Sequence, residues 1–263
     1  MRKNPLRARC EAGLTSFGAW CVTPSTFNAE VFASEGFDYV CVDCQHGLIH
    51  YDAMWPMLQA LRWSEASVVV RVPFNSTPWP GKAFDTGADA VVIPMVNDRD
   101  DAERAAAACR YAPEGVRSFG PVRSGMLFGD DPTLVNREVL CLVMIETVRA
   151  VENADAICST PGVDGVYVGP ADLAVSMGVP LGEMFRAKEH ADAIEEIRAT
   201  AARHGLLAGI HTGGGSRART LADAGFRMCT VSTDAALLRA VAKRELAAAL
   251  GDGPDAESGG IYG

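Results

Sequence analysis

The sequence predicts a (β/α)8 barrel, and three observations lead there. Eight short apolar runs of β-formers alternate with longer helical patterns over 263 residues, an ordinary length for one such barrel. The runs are apolar on both faces, as strands of a parallel sheet covered by helices must be. Gly-x-Asp phrases precede three of them: Gly36-Phe37-Asp38, Gly87-Ala88-Asp89 and Gly162-Val163-Asp164. Each glycine suits a helix end that turns sharply into a strand.

The strands are expected at Ser16–Trp20, Asp38–Asp43, Ser67–Val72, Ala90–Pro94, Leu140–Ile145, Gly165–Val168, Leu207–His211 and Met228–Val231. Helices are expected at Pro24–Glu35, Tyr51–Arg62, Pro78–Thr86, Asp98–Tyr111, Val148–Cys158, Ala187–His204 and Ser216–Ala224. Ser25 and Thr26 beside Pro24, and Asp98 after Asn97, are good N-terminal signals. A further helix is expected to begin near Asp172, after a Gly169-Pro170-Ala171 turn. An open doubly wound sheet is the alternative, but no G-x-G-x-x-G follows the first strand to support a dinucleotide site. Residues 1–250 read as one domain, with Asp234–Leu250 an Ala- and Leu-rich helix that covers the barrel or docks on a neighbouring subunit. The tail 251–263, rich in Gly and acids, reads as disordered. Pro113 to Arg137 is a long Gly-containing loop with Arg117 and Arg123, a length that is often functional.

Composition excludes several classes. The formal net charge is −9, which argues against nucleic acid as a partner, because a phosphate-binding surface needs clustered Lys and Arg. No apolar run reaches membrane-spanning length. The start, with Arg2, Lys3, Arg7 and Arg9, has no apolar segment after it and is not a secretory signal. Most of the eight cysteines lie in apolar runs, and Cys41-x-x-Cys44 has no second pair at zinc spacing. Reduced thiols in a cytoplasmic protein fit best.

The strand C-termini of such a barrel, and the loops after them, form its active face. The polar residues expected there are His46 after the second strand, Arg71 ending the third, Glu146 ending the fifth, Asp172 after the sixth, and His211 ending the seventh. Two carboxylates suit Mg2+ or Mn2+, hard cations that keep positions open for substrate oxygens such as those of a 2-oxoacid. Glu146 could instead pair with a basic residue, and Asp172 could cap a helix. Arg71 could stabilise developing negative charge, or form a salt bridge across the rim. His46 could serve as general base, or simply pack. Asp85 sits late in a helix, where an acid is unfavourable, so something retains it; orienting His46 is one candidate. The amides near Gly169, Pro170, Ala171 and Asp172 could receive a carboxylate, though the same residues could form an ordinary turn. No Lys ends a strand, since Lys82, Lys188 and Lys243 fall on helices or loops, which favours metal over imine chemistry.

At these residues the sequence resembles the HpcH/HpaI-type class II pyruvate aldolases, which include 2,4-dihydroxyhept-2-ene-1,7-dioate aldolase and 2-keto-3-deoxy-sugar-acid aldolases. The stretches that carry the resemblance include Asp43–Gly47, Arg71-Val72-Pro73, Ile145-Glu146-Thr147 and Val168–Leu173, within a match running from Asn4 to about Leu250. The resemblance implies a pyruvate-type (β/α)8 TIM barrel whose C-terminal helix is exchanged in a homohexamer, a trimer of dimers. It implies Glu146 and Asp172 as ligands of Mg2+, Mn2+ or Co2+, His46 paired with Asp85 as the base, and Arg71 on the pyruvate oxygen. The amides from Gly169 to Asp172 would take the carboxylate.

Two positions depart from the best-known pattern. Gln45 stands where those members have Glu, which removes a charge beside His46. His211 stands near a strand end that is usually apolar, suggesting a smaller or more polar aldehyde. The expected reaction is reversible cleavage of a 4-hydroxy-2-oxoacid to pyruvate or hydroxypyruvate and an aldehyde. A malyl- or citramalyl-thioester lyase would need a basic patch for CoA phosphates, and none is evident. A non-catalytic barrel would have little reason to keep both carboxylates.

Overall fold

Runs such as Val68-Val69-Val70 are β-branched and lose little side-chain freedom in an extended chain. In the computed structural model, which describes residues 3–251, they form eight strands. These are β1 (Ser16–Cys21), β2 (Tyr39–Asp43), β3 (Ser67–Arg71), β4 (Ala90–Ile93), β5 (Leu140–Ile145), β6 (Gly165–Val168), β7 (Leu207–His211) and β8 (Met228–Thr233). They close into an all-parallel barrel in sequence order, β8 pairing with β1. The expected ends differ by a residue or two. Among the described residues, the one register shift lies between Gly18 and Ala19 of β1, on the β8 side.

The helices are α1 (Pro5–Glu11), α2 (Thr26–Ser34), α3 (Tyr51–Ala60), α4 (Pro78–Asp85), α5 (Arg99–Cys109), α6 (Ser124–Phe128), α7 (Pro132–Glu138), α8 (Val148–Glu152), α9 (Ala154–Cys158), α10 (Pro170–Ser176), α11 (Lys188–Arg203), α12 (Gly215–Asp223) and α13 (Asp234–Ala249). Ser25 and Asp98 cap α2 and α5 as their sequence positions suggest. The expected helix 148–158 is broken at Asn153, whose Nδ2 donates to Asn97 O and Arg149 O, both at 3.0 Å. The helix expected near Asp172 starts at Pro170, whose ring is pre-set for a first helical position. The expected tail lies outside the described residues beyond Gly251.

Helices α1, α6 and α7 are too short to show a helical period and were not expected. α1 closes the N-terminal end of the barrel: Leu6, fully buried, joins the interior cluster with Tyr39, Tyr167 and Met228. The Gly-x-Asp phrases meet it there. Asp38, Asp89 and Asp164 accept the backbone N–H of Phe17, Val68 and Cys141 on the neighbouring odd strand, at 2.8, 2.8 and 2.7 Å. Arg9 pairs with Asp38, Arg62 with Asp89, and both Arg7 and Arg110 with Asp164. The N-terminal basic residues Arg7 and Arg9 therefore act as clasps on a ring of carboxylates. In the fourth quarter, before β8, the matching residue is Arg227, whose side chain has no oxygen to accept an N–H.

At the opposite end Asp234 ties the β8–α13 corner to the loop after β1. It accepts Val22 N at 2.9 Å, Thr23 N at 3.3 Å and Asn28 Nδ2 at 3.2 Å. This rim carries the polar residues singled out above.

Candidate active site

Register brings the first pair together. Asp43 and Arg71 are direct neighbours across β2 and β3. Arg71 donates through Nε to Asp43 Oδ1 at 2.8 Å and through Nη2 to Oδ2 at 2.6 Å. Asp43 also accepts the amides of Gln45 and His46, at 3.0 and 3.3 Å, which fixes the turn that carries His46. Burial alone would drive the Arg71 guanidinium down; the Asp43 carboxylate outweighs it and holds Arg71 above its ordinary value. Arg71 therefore does form a salt bridge at the rim, and the pair leaves its Nη1 out. Asp43 has no assigned role in the sequence reading, and only its place in the Asp43–Gly47 stretch hinted at one.

Trp20, at the end of β1, forms the floor. The Arg71 guanidinium lies 4.6 Å from its ring centre, and the His211 ring meets it edge-on at 5.1 Å. Burial, then the charge of Arg71, pushes the His211 pKa down to about 4, so His211 is neutral at neutral pH.

Glu146 is 1% exposed. Its Oε1 accepts Met95 N at 2.7 Å, and Met95 holds a left-handed backbone, φ +56, to aim that amide. Oε2 is buried and has no partner. No basic side chain pairs with Glu146 among the described residues. Burial pushes its pKa up to about 7; Asp172 adds to this, while the Met95 amide and Arg71 oppose it. A Cβ at Gly169 would stand 2.4 Å from Oε2, so only glycine leaves that oxygen its space. Asp172, exposed in the first turn of α10, accepts no hydrogen bond among the described residues.

No group of three or more His, Cys, Asp and Glu side chains gathers among the described residues. Two carboxylates completed by substrate and water remain a donor set suited to a Mg2+-like cation, and an orphaned buried carboxylate oxygen fits one.

Trp20, His46, Arg71, Asp172, Phe185 and His211 line a cavity of about 230 Å3, with Gly169, Pro170 and Ala171 on its wall. No Lys lines it. The amides of Ala171 and Asp172 have no acceptor among the described residues.

Asp85 stands apart from this group. α4 runs back along the outside of the barrel, away from the strand C-termini, and Asp85 is its last residue. Its carboxylate accepts Arg117 Nη2 at 2.7 Å. Within one chain, Asp85 therefore does not reach His46, and the expected pairing is not formed. Arg117 is the group that retains an acid at this helix end. It comes from the Pro113–Arg137 loop, stacks 4.3 Å from Tyr111 and is itself buried.

An eight-stranded barrel with two carboxylates, a paired arginine and a histidine at its C-terminal rim has the layout of a barrel lyase. The chain belongs to the HpcH/HpaI aldolase/citrate lyase family, whose model matches residues 17–240. It is 37% identical over 246 residues to a hydroxypyruvate/pyruvate aldolase of Rhizorhabdus wittichii, covering 93% of this chain and 98% of that one. It is 33% identical over 244 residues to a 5-keto-4-deoxy-D-glucarate aldolase of Klebsiella pneumoniae, covering 92% and 94%. The structure superimposes with TM-score 0.87 on an HpcH/HpaI aldolase/citrate lyase family protein from Burkholderia cenocepacia, at 29% identity over 94% of this chain and 99% of that one. The protein is an aldolase, a carbon–carbon lyase. Among the described residues, no helix is long and apolar enough to cross a membrane.

Proposed function

We propose that this aldolase reversibly cleaves a 4-hydroxy-2-oxoacid to pyruvate or hydroxypyruvate and an aldehyde, with Glu146 and Asp172 holding a divalent cation. Glu146 Oε2 carries this reading: it is buried and unpartnered, beside a second carboxylate and an arginine. A cation such as Mg2+, Mn2+ or Co2+, when bound, supplies Lewis-acid stabilisation of the charge developing on the keto oxygen.

The chain's own groups do the rest. Arg71, oriented by Asp43, presents Nη1 to the 2-oxoacid oxygen. The free amides of Ala171 and Asp172, after Gly169 and Pro170, receive the carboxylate. His46, exposed at the rim, takes the hydroxyl proton directly or through a water. Neutral His211 borders the aldehyde and offers it a hydrogen bond. The names of the two relatives, for hydroxypyruvate or pyruvate and for 5-keto-4-deoxy-D-glucarate, support polar oxoacid substrates for this chain as well.

A role for Asp85 in orienting His46 requires the carboxylate of a neighbouring subunit, because within one chain it faces Arg117. A homohexamer built as a trimer of dimers would supply such neighbours. Support for an assembly comes from α13, whose Leu238, Leu246 and the following Leu250 are 70%, 62% and 68% exposed. Eight free cysteines accord with a cytoplasmic setting.

The test is exchange of the pyruvate methyl protons in D2O, followed by NMR on metal-stripped protein with and without Mn2+ or Mg2+. Cation-dependent exchange is expected. Exchange with no cation present, or none with any cation, overturns the reading.

A further inference from the structure

The 230 Å3 cavity has a neighbour. A groove of about 700 Å3 lies between α11 and α12, walled by Ile194, Leu221 and Phe226, with Arg217 at its edge. Among the described residues, Phe185 is the one side chain that borders both spaces.

Phe185 is half-buried, and two side chains hold its ring. The His190 ring meets it edge-on at 5.8 Å, and the Arg217 guanidinium lies 4.6 Å from its centre. Its backbone is left-handed, φ +67, a conformation that a bulky residue adopts only under constraint. The constraint is visible. Phe185 N donates to His190 Nδ1 at 3.1 Å, and His190 Nε2 lies 2.8 Å from Pro170 O. An amide can only donate and a carbonyl can only accept, so Nδ1 is the acceptor and Nε2 carries the proton. His190 is fully buried. One imidazole thus fastens Phe185 to the turn that leads into Asp172.

We propose that Phe185 is a specificity-determining residue: its ring is the partition that limits the length of the aldehyde the cavity admits. The proposal rests on the aldolase reading above. A two- or three-carbon aldehyde ends before the ring. A longer aliphatic aldehyde needs the space behind it, which is already formed and offers an apolar wall of Ile194, Leu221 and Phe226 beside the charged Arg186, Glu195 and Arg217. The fastening by His190 and Arg217 keeps the ring from swinging aside to make that room.

The experiment measures kcat and KM for addition of pyruvate to propanal and to hexanal, with Mg2+, in the wild type, Phe185→Ala, Phe185→Leu and Phe185→Trp. The hexanal-to-propanal ratio of kcat/KM is expected to rise about tenfold or more in the alanine variant, mainly through a lower KM for hexanal, and to fall in the tryptophan variant. The leucine variant, which keeps an apolar contact, is expected to lie between wild type and alanine and serves if the alanine protein does not fold. Pyruvate methyl exchange by the wild type is run alongside. If the wild type exchanges but the ratio stays within about twofold across the folded variants, the partition is overturned and the aldolase reading stands. If the wild type exchanges nothing with any cation, both fall.

Discussion

Arg71 and Asp43 are joined by two parallel hydrogen bonds, side by side at the ends of neighbouring strands. The pair is buried, so removing one partner strands the other's charge. Asp43→Ala is expected to cost about 3–5 kcal/mol of stability in urea unfolding, whereas a surface ion pair would cost less than about 1 kcal/mol. Arg71→Lys keeps the charge but cannot reproduce the fork, and pyruvate exchange by that variant is expected to fall sharply. Unchanged exchange would show that the fork is not needed.

Glu146 gives a pH signature. Without a cation, the folded protein keeps its proton up to about pH 7, while the unfolded chain releases it near 4.5. The native state therefore binds more protons in that window, and Glu146 makes stability decline as pH rises from 4.5 to about 7. A bound cation needs the carboxylate and displaces the proton. Mn2+ affinity, measured by calorimetry, is expected to climb as pH rises towards 7, then level off. A flat profile would count against Glu146 as a ligand, as would undiminished Mn2+ binding by Glu146→Gln.

His211 acts with the opposite sign. Its pKa falls from 6.5 to about 4 on folding, so between those values the unfolded chain holds the extra proton. Its contribution makes stability drop as pH falls through that window, by up to about 1.4 kcal/mol per pH unit. His211→Leu is expected to flatten this part of the profile in denaturant titrations. The same variant is expected to shift aldehyde preference towards less polar aldehydes; an unchanged preference would remove His211 from the aldehyde end.

The strands and the rim residues Glu146, Arg71, His46 and His211 are legible in the sequence because a buried parallel strand is an unbroken apolar run, and the polar residue that ends it stands out. Asp43 is not. It is one more acid at a strand end, and its bond to Arg71 depends on a register set 28 residues away. Phe185 is silent for a different reason: it lies between periodic elements, and its strained backbone leaves no compositional trace. Asp85 misleads because its position on a helix does not reveal which arginine a distant loop will bring to it.

Asp85 offers a test across subunits. If a neighbour's Asp85 orients His46, the variants His46→Ala and Asp85→Asn are each expected to be weak alone. Mixed and reassembled, they are expected to regain part of the lost exchange activity, because some sites then combine an intact His46 with an intact Asp85. No recovery in reassembled mixtures would confine Asp85 to its bond with Arg117.

The ring of carboxylates at the closed end divides the barrel into quarters, three clamped by Asp38, Asp89 and Asp164 and one lacking the clamp at Arg227. The unclamped quarter adjoins the β8–β1 junction, where the register slips at Gly18. A closed barrel has no free edge, but the missing clamp and the register slip make this the meridian along which it is expected to come apart first. His211 and Trp20 stand at the open end of that meridian, on β7 and β1. Amides of β7, β8 and β1 are therefore expected to exchange with solvent ahead of those in β3 to β6, leaving the strands that carry Arg71 and Glu146 as the last part of the protein to open.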